Sequence, residues 1–323
     1  MKKTILIASL IIATAIPGFC GVNDAGTSSA VFLRMEQGAR AQGMGGAFVA
    51  MEKDVESVWY NPAALSFTES TQINFSYAGY IGGITGSYAA FSVPSGANKN
   101  AAVIGDVNYI SMGSVDARDA FGVVTKSINL NNLVAGLGYS FPTAQNISFG
   151  LHVKYLEQNL GDYKAAGFVG DIGLLYRMSE NLSLGVCAQN IGGKIKTSDV
   201  ENTVPMDTRA GITYVISPKL IFAADQEMPS DSDNRFHVGT EYKMSDSFFL
   251  RAGYNSSEAV GFCAGAGFLT PVALKSKKEN TTAWWKEAVE KDWKHNVIRI
   301  DYAYISSAAN TEATHRVSAT LKY

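Results

Sequence analysis

Cysteine, histidine and proline are all scarce: three, four and eight residues respectively in a chain of 323. So few cysteines exclude a disulfide-stapled scaffold. The histidines (His152, His237, His295 and His315) are scattered, and none sits at metal-ligand spacing from another. No Gly-x-Ser-x-Gly elbow occurs, and Gly43-x-Gly45-Gly46 lacks the strand–helix setting that a dinucleotide site needs. No nucleophile–base pair can be named, so the residues point to no enzyme, no metal and no cofactor. Charged residues make up 17%, with a formal net charge of −2, which marks neither a nucleic-acid binder nor a disordered chain. Long apolar runs are missing too. The longest, from Ile5 to Ile16, falls short of the roughly 20 residues that a membrane-spanning helix needs.

That run follows Lys2 and Lys3 and is broken by Pro17-Gly18. A basic start, a short apolar stretch and small residues around the expected cut make residues 1–20 a secretory signal peptide, cleaved after Cys20 with Gly18 at the −3 position. Lipidation of Cys20 is the competing reading, and Phe19 in front of it fits that processing poorly. Cys187 and Cys263 remain, both within expected strands, where they read either as small buried hydrophobes or as a disulfide that an oxidising compartment would permit.

What is abundant is alternation. Ile147, Phe149, Leu151, Val153 and Tyr155 share one face of a strand, and Ser148, Gly150, His152 and Lys154 the other. Phe236, Val238, Thr240 and Tyr242 alternate with His237, Gly239, Glu241 and Lys243. At the end of the chain Val317, Ala319, Leu321 and Tyr323 alternate with Arg316, Ser318, Thr320 and Lys322, the pattern of the terminal strand that barrel-assembly machinery handles. The spacing predicts strands at about 72–80, 84–93, 101–113, 129–141, 146–159, 166–178, 181–192, 207–217, 219–228, 234–244, 247–256, 259–270, 296–307 and 313–323. About fourteen antiparallel strands of this two-faced kind predict an all-β transmembrane barrel in contact with outer-membrane lipid, over residues 71–323. Tight turns at 142–146, 178–181, 217–218 and 244–246 mark the periplasmic rim, and longer loops at 113–128 and 192–206 face outward.

A barrel of this size encloses more space than its inward side chains fill. Residues 21–70 do not alternate and are rich in small residues and turn formers. They are expected to form a hatch within the periplasmic half of the lumen. Here the chain resembles a known family. The string GTSSAVFLRMEQGARAQGMGGAFVAMEKDVESVWYNPAALSF (residues 26–67) resembles the start of mature PorV/PorQ-family proteins, relatives of the FadL long-chain fatty acid channel. The likeness continues through DIGLLY (171–176), LSLGVCAQNIGG (182–193), VPMDTRAGITY (204–214) and LRAGY (250–254). The resemblance implies a fourteen-stranded outer-membrane barrel. It also implies an accessory, cargo-handling role in type IX-like protein secretion, with secreted cargo or other secretion components as partners. A passive channel for apolar small molecules is the alternative.

Three groups of candidate residues follow. Lys154, Asp171, Arg177, Asp225, Glu241, Lys243, Arg251, Arg299 and Asp301 fall on inward positions. They read either as a polar conduction path or as a salt-bridged interior. Asn61-Pro62-Ala63 reads either as a gate or as a turn that fixes a structural plug. Residues 271–296 insert between the twelfth and thirteenth strands. Trp285, Val289 and Trp293 recur there every fourth residue beside Trp284, as in a short amphipathic helix for the membrane interface, the barrel mouth or a partner.

Overall fold

Nearly every stretch of alternating sequence is realised as strand. The computed structural model describes residues 29–96, 100–197, 200–257, 261–272, 296–306 and 313–323. Its strands are β1 (Gln72–Gly79), β2 (Thr85–Ser95), β3 (Ala101–Arg118), β4 (Val124–Ala144), β5 (Ile147–Leu160), β6 (Tyr163–Ser179), β7 (Leu182–Thr197), β8 (Val200–Thr203), β9 (Asp207–Ser217), β10 (Leu220–Pro229), β11 (Arg235–Lys243), β12 (Phe248–Asn255), β13 (Phe262–Pro271), β14 (Val297–Ile305) and β15 (Thr314–Lys322). Each pairs antiparallel with its neighbours. β1 pairs with β15 from Gln72↔Lys322 to Gly79↔His315, and β6 pairs with β7, so the sheet closes on itself. Fourteen strands form the ring. β8 stands outside it, folded back on the far end of β7.

The two longer loops expected from sequence are largely strand. β3 and β4 stay paired from Ser114↔Asn129 to Arg118↔Val124, past a register shift at Gly113, whose φ is 77°. Both faces of this hairpin are mostly solvent-exposed. Backbone pairing therefore continues where no apolar face is required, and the alternation that reveals a strand is lost.

Alternation decides the two faces. Phe75, Leu137, Leu151, Val153, Phe168, Leu250, Ile300 and Val317 are exposed on the outer wall, far more apolar surface than a water-soluble protein leaves open. Aromatics flank this band at both rims. Phe248 packs on Phe268 (ring centroids 5.0 Å apart) near the short turns, and Tyr254 on Phe262 (5.4 Å) at the opposite rim. Val317, Ala319 and Tyr323 face outward, whereas Arg316, Ser318 and Thr320 are buried.

Residues 29–71, which precede β1, run inside this ring. They form 3₁₀ turns at Val31–Arg34, Val55–Trp59 and Pro62–Leu65 and one α-helical turn, α1 (Ala39–Gly43). Phe48, Tyr60, Met44, Val55 and Trp59 are buried against Tyr88, Ile110, Val134, Leu156 and Val169, inward residues of β2–β6. Tyr60 and Phe48 touch ring to ring at 5.6 Å. The apolar core thus lies between this N-terminal segment and one half of the wall.

Candidate functional site

On the other half of the wall, six charged side chains from two parts of the chain close into a ring. Arg40 of α1 reaches Asp54 (2.6 Å) and Glu241 of β11 (2.6 Å). Glu241 accepts from Arg251 of β12 (2.6 Å), and Arg251 meets Asp301 of β14 (2.8 Å). Asp301 accepts from Arg299 (2.6 Å), and Arg299 returns to Asp54 (2.8 Å). Signs alternate around the ring, three guanidiniums against three carboxylates, and all six side chains are buried or nearly so. Removing charges from water is costly, and each here recovers that cost through two opposite neighbours. Asp54 also caps the turn Val55–Trp59 by accepting from the Glu56 amide at 3.0 Å. Burial alone would raise the Asp54 carboxyl, but Arg299 and Arg40 hold it well below the usual carboxylate range. Two residues on, burial and the nearby Asp54 charge push Glu56 up to about 7.

Asn61-Pro62-Ala63 lies against the opposite wall. Asn61 is buried and caps the following turn, its side-chain oxygen accepting from the Ala63 amide at 3.0 Å. Its Nδ2 donates to the Val49 carbonyl (2.8 Å) and to the Leu174 carbonyl of β6 (3.2 Å). Ser148 of β5 donates to the Ala63 carbonyl at 2.9 Å. The wall is glycine where the motif touches it: a Cβ on Gly150 would meet Pro62 and Ala63 backbone, and one on Gly173 the Asn61 side chain. The same device serves the charged side, where Gly239 and Gly253 face the Met44–Gly45 backbone.

The remaining inward charges are distributed around the lumen. Lys154 pairs with Asp171 at 2.9 Å, and Asp171 also faces His152, which in turn lies 3.2 Å from Asp106. The Asp171 oxygen that meets Lys154 also accepts from the Asn190 amide (2.9 Å), at a bulge where the β6–β7 register slips between Gly170 and Ile172. Asp225 has no ion-pair partner among the described residues. It accepts instead from the backbone amides of Phe48 (2.6 Å) and Val49 (2.8 Å). Arg177 binds Glu52, which also accepts from Ser183. Lys243 departs from the lumen set: it sits at the short-turn rim and pairs with the exposed Asp246 at 2.8 Å.

Sequence reasoning singled out four members of the ring and missed Arg40 and Asp54, because their partners lie 201 and 245 residues away. It also missed a second buried group, Glu36, Glu227 and His237, whose ligand atoms lie close enough together to suggest a metal. The cation there is Arg209, 2.8 Å from Glu36 and 3.0 Å from Glu227. Both His237 nitrogens face acceptors, the Gly45 carbonyl and Glu227, each at 2.9 Å. The Trp284, Trp285, Val289 and Trp293 stripe, most of the 271–296 insertion and the 1–20 leader lie outside the described residues.

A wall with an apolar exterior, a charged interior and a chain segment bound inside it has recognisable relatives. The family described as type IX secretion system protein PorV matches residues 22–229. The chain belongs to the PorV family. Its fold is shared with solved outer-membrane proteins at low identity. The Pseudomonas putida toluene transporter TodX has a TM-score of 0.59 at 13% identity, over 88% of this chain and 97% of that one. The Ralstonia pickettii toluene transporter TbuX gives 0.55 at 15%, over 90% and 98%. A Pseudomonas aeruginosa FadL homologue gives 0.52 at 11%, over 89% and 98%. No curated protein matches. This PorV-family member is therefore an outer-membrane β-barrel, in a family of secretion components whose fold also serves transporters.

Proposed function

We propose that this PorV-family barrel is a non-catalytic accessory of type IX-like secretion. It handles secreted proteins at the outer face while its N-terminal segment keeps the lumen plugged as a hatch. The observation that carries this reading is the way the segment is held. A closed ring of ion pairs fastens it to β11, β12 and β14, and Asn61, Ser148 and bare glycines fasten it to β5 and β6. Swinging the whole segment out would break several buried charge pairs together, and the Asn61-Pro62-Ala63 turn is itself tied to β5 and β6 by hydrogen bonds, which favours a fixed plug over a gate there. The partners of this reading are outer-membrane lipid, barrel-assembly machinery and secreted cargo or other secretion components.

Mass spectrometry of the surface and medium of a clean deletion strain tests it. Loss of particular surface or secreted proteins, with an intact outer membrane, is the expected result. An unchanged secretome overturns the proposal. The second reading, passage of apolar small molecules, is favoured by the bulge at Asn190, the kind of ladder defect at which a side opening can form. Slower uptake of such a molecule in the deletion strain, with secretion unchanged, would establish that reading instead.

A further inference from the structure

On the outer wall of β5–β7 the apolar band ends and a cluster of lysines begins. Leu151, Val153 and Ile172 are exposed within the band. Its last row is Tyr155 and Phe168, paired in register, with ring centroids 5.3 Å apart. Beyond this row, toward the rim opposite the short turns, the face turns polar. Lys194 stands opposite Phe168 in the β6–β7 ladder, and Lys196 opposite Ala166. Ala165 and Ile195 are buried on the inner side, so Lys164, Ala166, Lys194 and Lys196 point outward, and all four are exposed.

Ala166 is the centre of this group. The next same-face residue along a strand lies about 7 Å away, and a diagonal cross-strand neighbour about 7–8 Å. Ala166 therefore has Lys164 beside it on β6, Lys196 opposite and Lys194 on the diagonal. Three ammonium groups surround a dip floored by a methyl group. Two acids share the face. Glu157 of β5, across from Ala166, accepts from the Tyr155 hydroxyl at 3.0 Å, and Glu201 of β8 pairs with Lys194 at 3.1 Å. Among the described residues Lys164 and Lys196 enter no ion pair.

A lysine stem can rest on apolar surface while its ammonium stays at headgroup depth. Salt screens the pull of exposed lysines on a dissolved anion. A lipid whose chains already touch Phe168 carries its phosphate to the same place, next to the wall. We propose that this patch binds an anionic lipid of the outer leaflet. Its phosphate sits over Ala166 between Lys164, Lys194 and Lys196, and its chains lie along Tyr155 and Phe168. Lysine clusters that border a membrane recognise phosphorylated head groups by the same attraction. The site faces lipid rather than the lumen, and it stands whether or not the barrel serves secretion.

The test uses the full mature chain in detergent and native mass spectrometry, with diphosphoryl lipid A set against the same lipid stripped of its phosphates. The phosphorylated form is expected to bind about 25-fold tighter, from roughly 5-fold for each of the two unpaired lysines. Lys164→Gln and Lys196→Gln are each expected to lower that preference about 5-fold, and the double variant to remove it. Lys194→Gln should lower it less, because Glu201 already shares that charge. Lys219→Gln, at the short-turn rim, should leave it unchanged. Equal affinity for the two lipids overturns the proposal, as does a preference that survives the double variant or falls as far in Lys219→Gln. Displacement of the lipid by an equal concentration of inorganic phosphate also overturns it, since the site would then serve a free ion. If the double variant does not give a heat-modifiable barrel, Ala166→Trp fills the dip without altering charge, and an undiminished preference in that variant overturns the proposal.

Discussion

The two halves of the wall hold the same N-terminal segment by different means. Strands β3–β7 run 14 to 21 residues and meet it mainly with apolar side chains and single hydrogen bonds, with one ion pair between Arg177 and Glu52. Strands β9–β15 run 8 to 11 residues and meet it with charge. The difference teaches that burial and fixation are separate tasks. Apolar contact is non-directional and tolerates small shifts, whereas a closed ring of ion pairs accepts one placement only.

The largest break should come from the ring. Asp54→Ala leaves Arg40 and Arg299 buried, each short of a partner. The expected loss is about 3–5 kcal/mol in urea unfolding, the usual cost of breaking a buried pair from one side. A second test is pH. Glu56 keeps its proton in the folded chain up to about 7, whereas its ordinary value is 4.5. Between those values the folded state holds a proton that the unfolded chain has released. Stability therefore falls as pH rises through that window, by at most about 1.4 kcal/mol per pH unit, and levels off above it. Glu56→Gln should remove that slope.

On the β3–β7 half, Gly150→Val drives a side chain into the Pro62–Ala63 backbone. It is expected to cost about 1–3 kcal/mol, by overpacking. Asn61→Ala removes a cap and two hydrogen bonds and should cost about 1–2 kcal/mol, with faster tryptic cutting at Lys53 as the local readout. Lys243→Ala, outside both halves of the contact, should leave the unfolding midpoint unchanged, because its partner Asp246 is fully exposed. An Asn61 variant more damaging than the Asp54 one would reverse the comparison.

The strands were legible because one face of each meets lipid and the other does not, so the period of two is written in side-chain polarity. β8 and the far ends of β3 and β4 were not, since their faces share one solvent. Glu241, Arg251, Arg299 and Asp301 could be placed inside by the same alternation. Their partners could not, because Arg40 and Asp54 lie in a segment without periodicity, and only the closed ring brings them within reach. Arg316 was seen as a polar-face residue of the last strand. That it donates to the Glu36 carbonyl and the Tyr80 hydroxyl depends on what surrounds it in three dimensions.

Glu56 also sits at the place where the circle closes. One of its oxygens accepts from Asn74 of β1 (3.3 Å) and from Ser318 of β15 (3.0 Å), the first and last strands of the sheet. Asn74 itself reaches across the same seam to Thr320 at 2.9 Å. A chain still being assembled can offer Glu56 only the near side of that seam, and the last strand brings the other. The segment that fills the barrel is thus also a clasp, tied from within to both edges that must meet, and it can finish docking only when the final strand arrives.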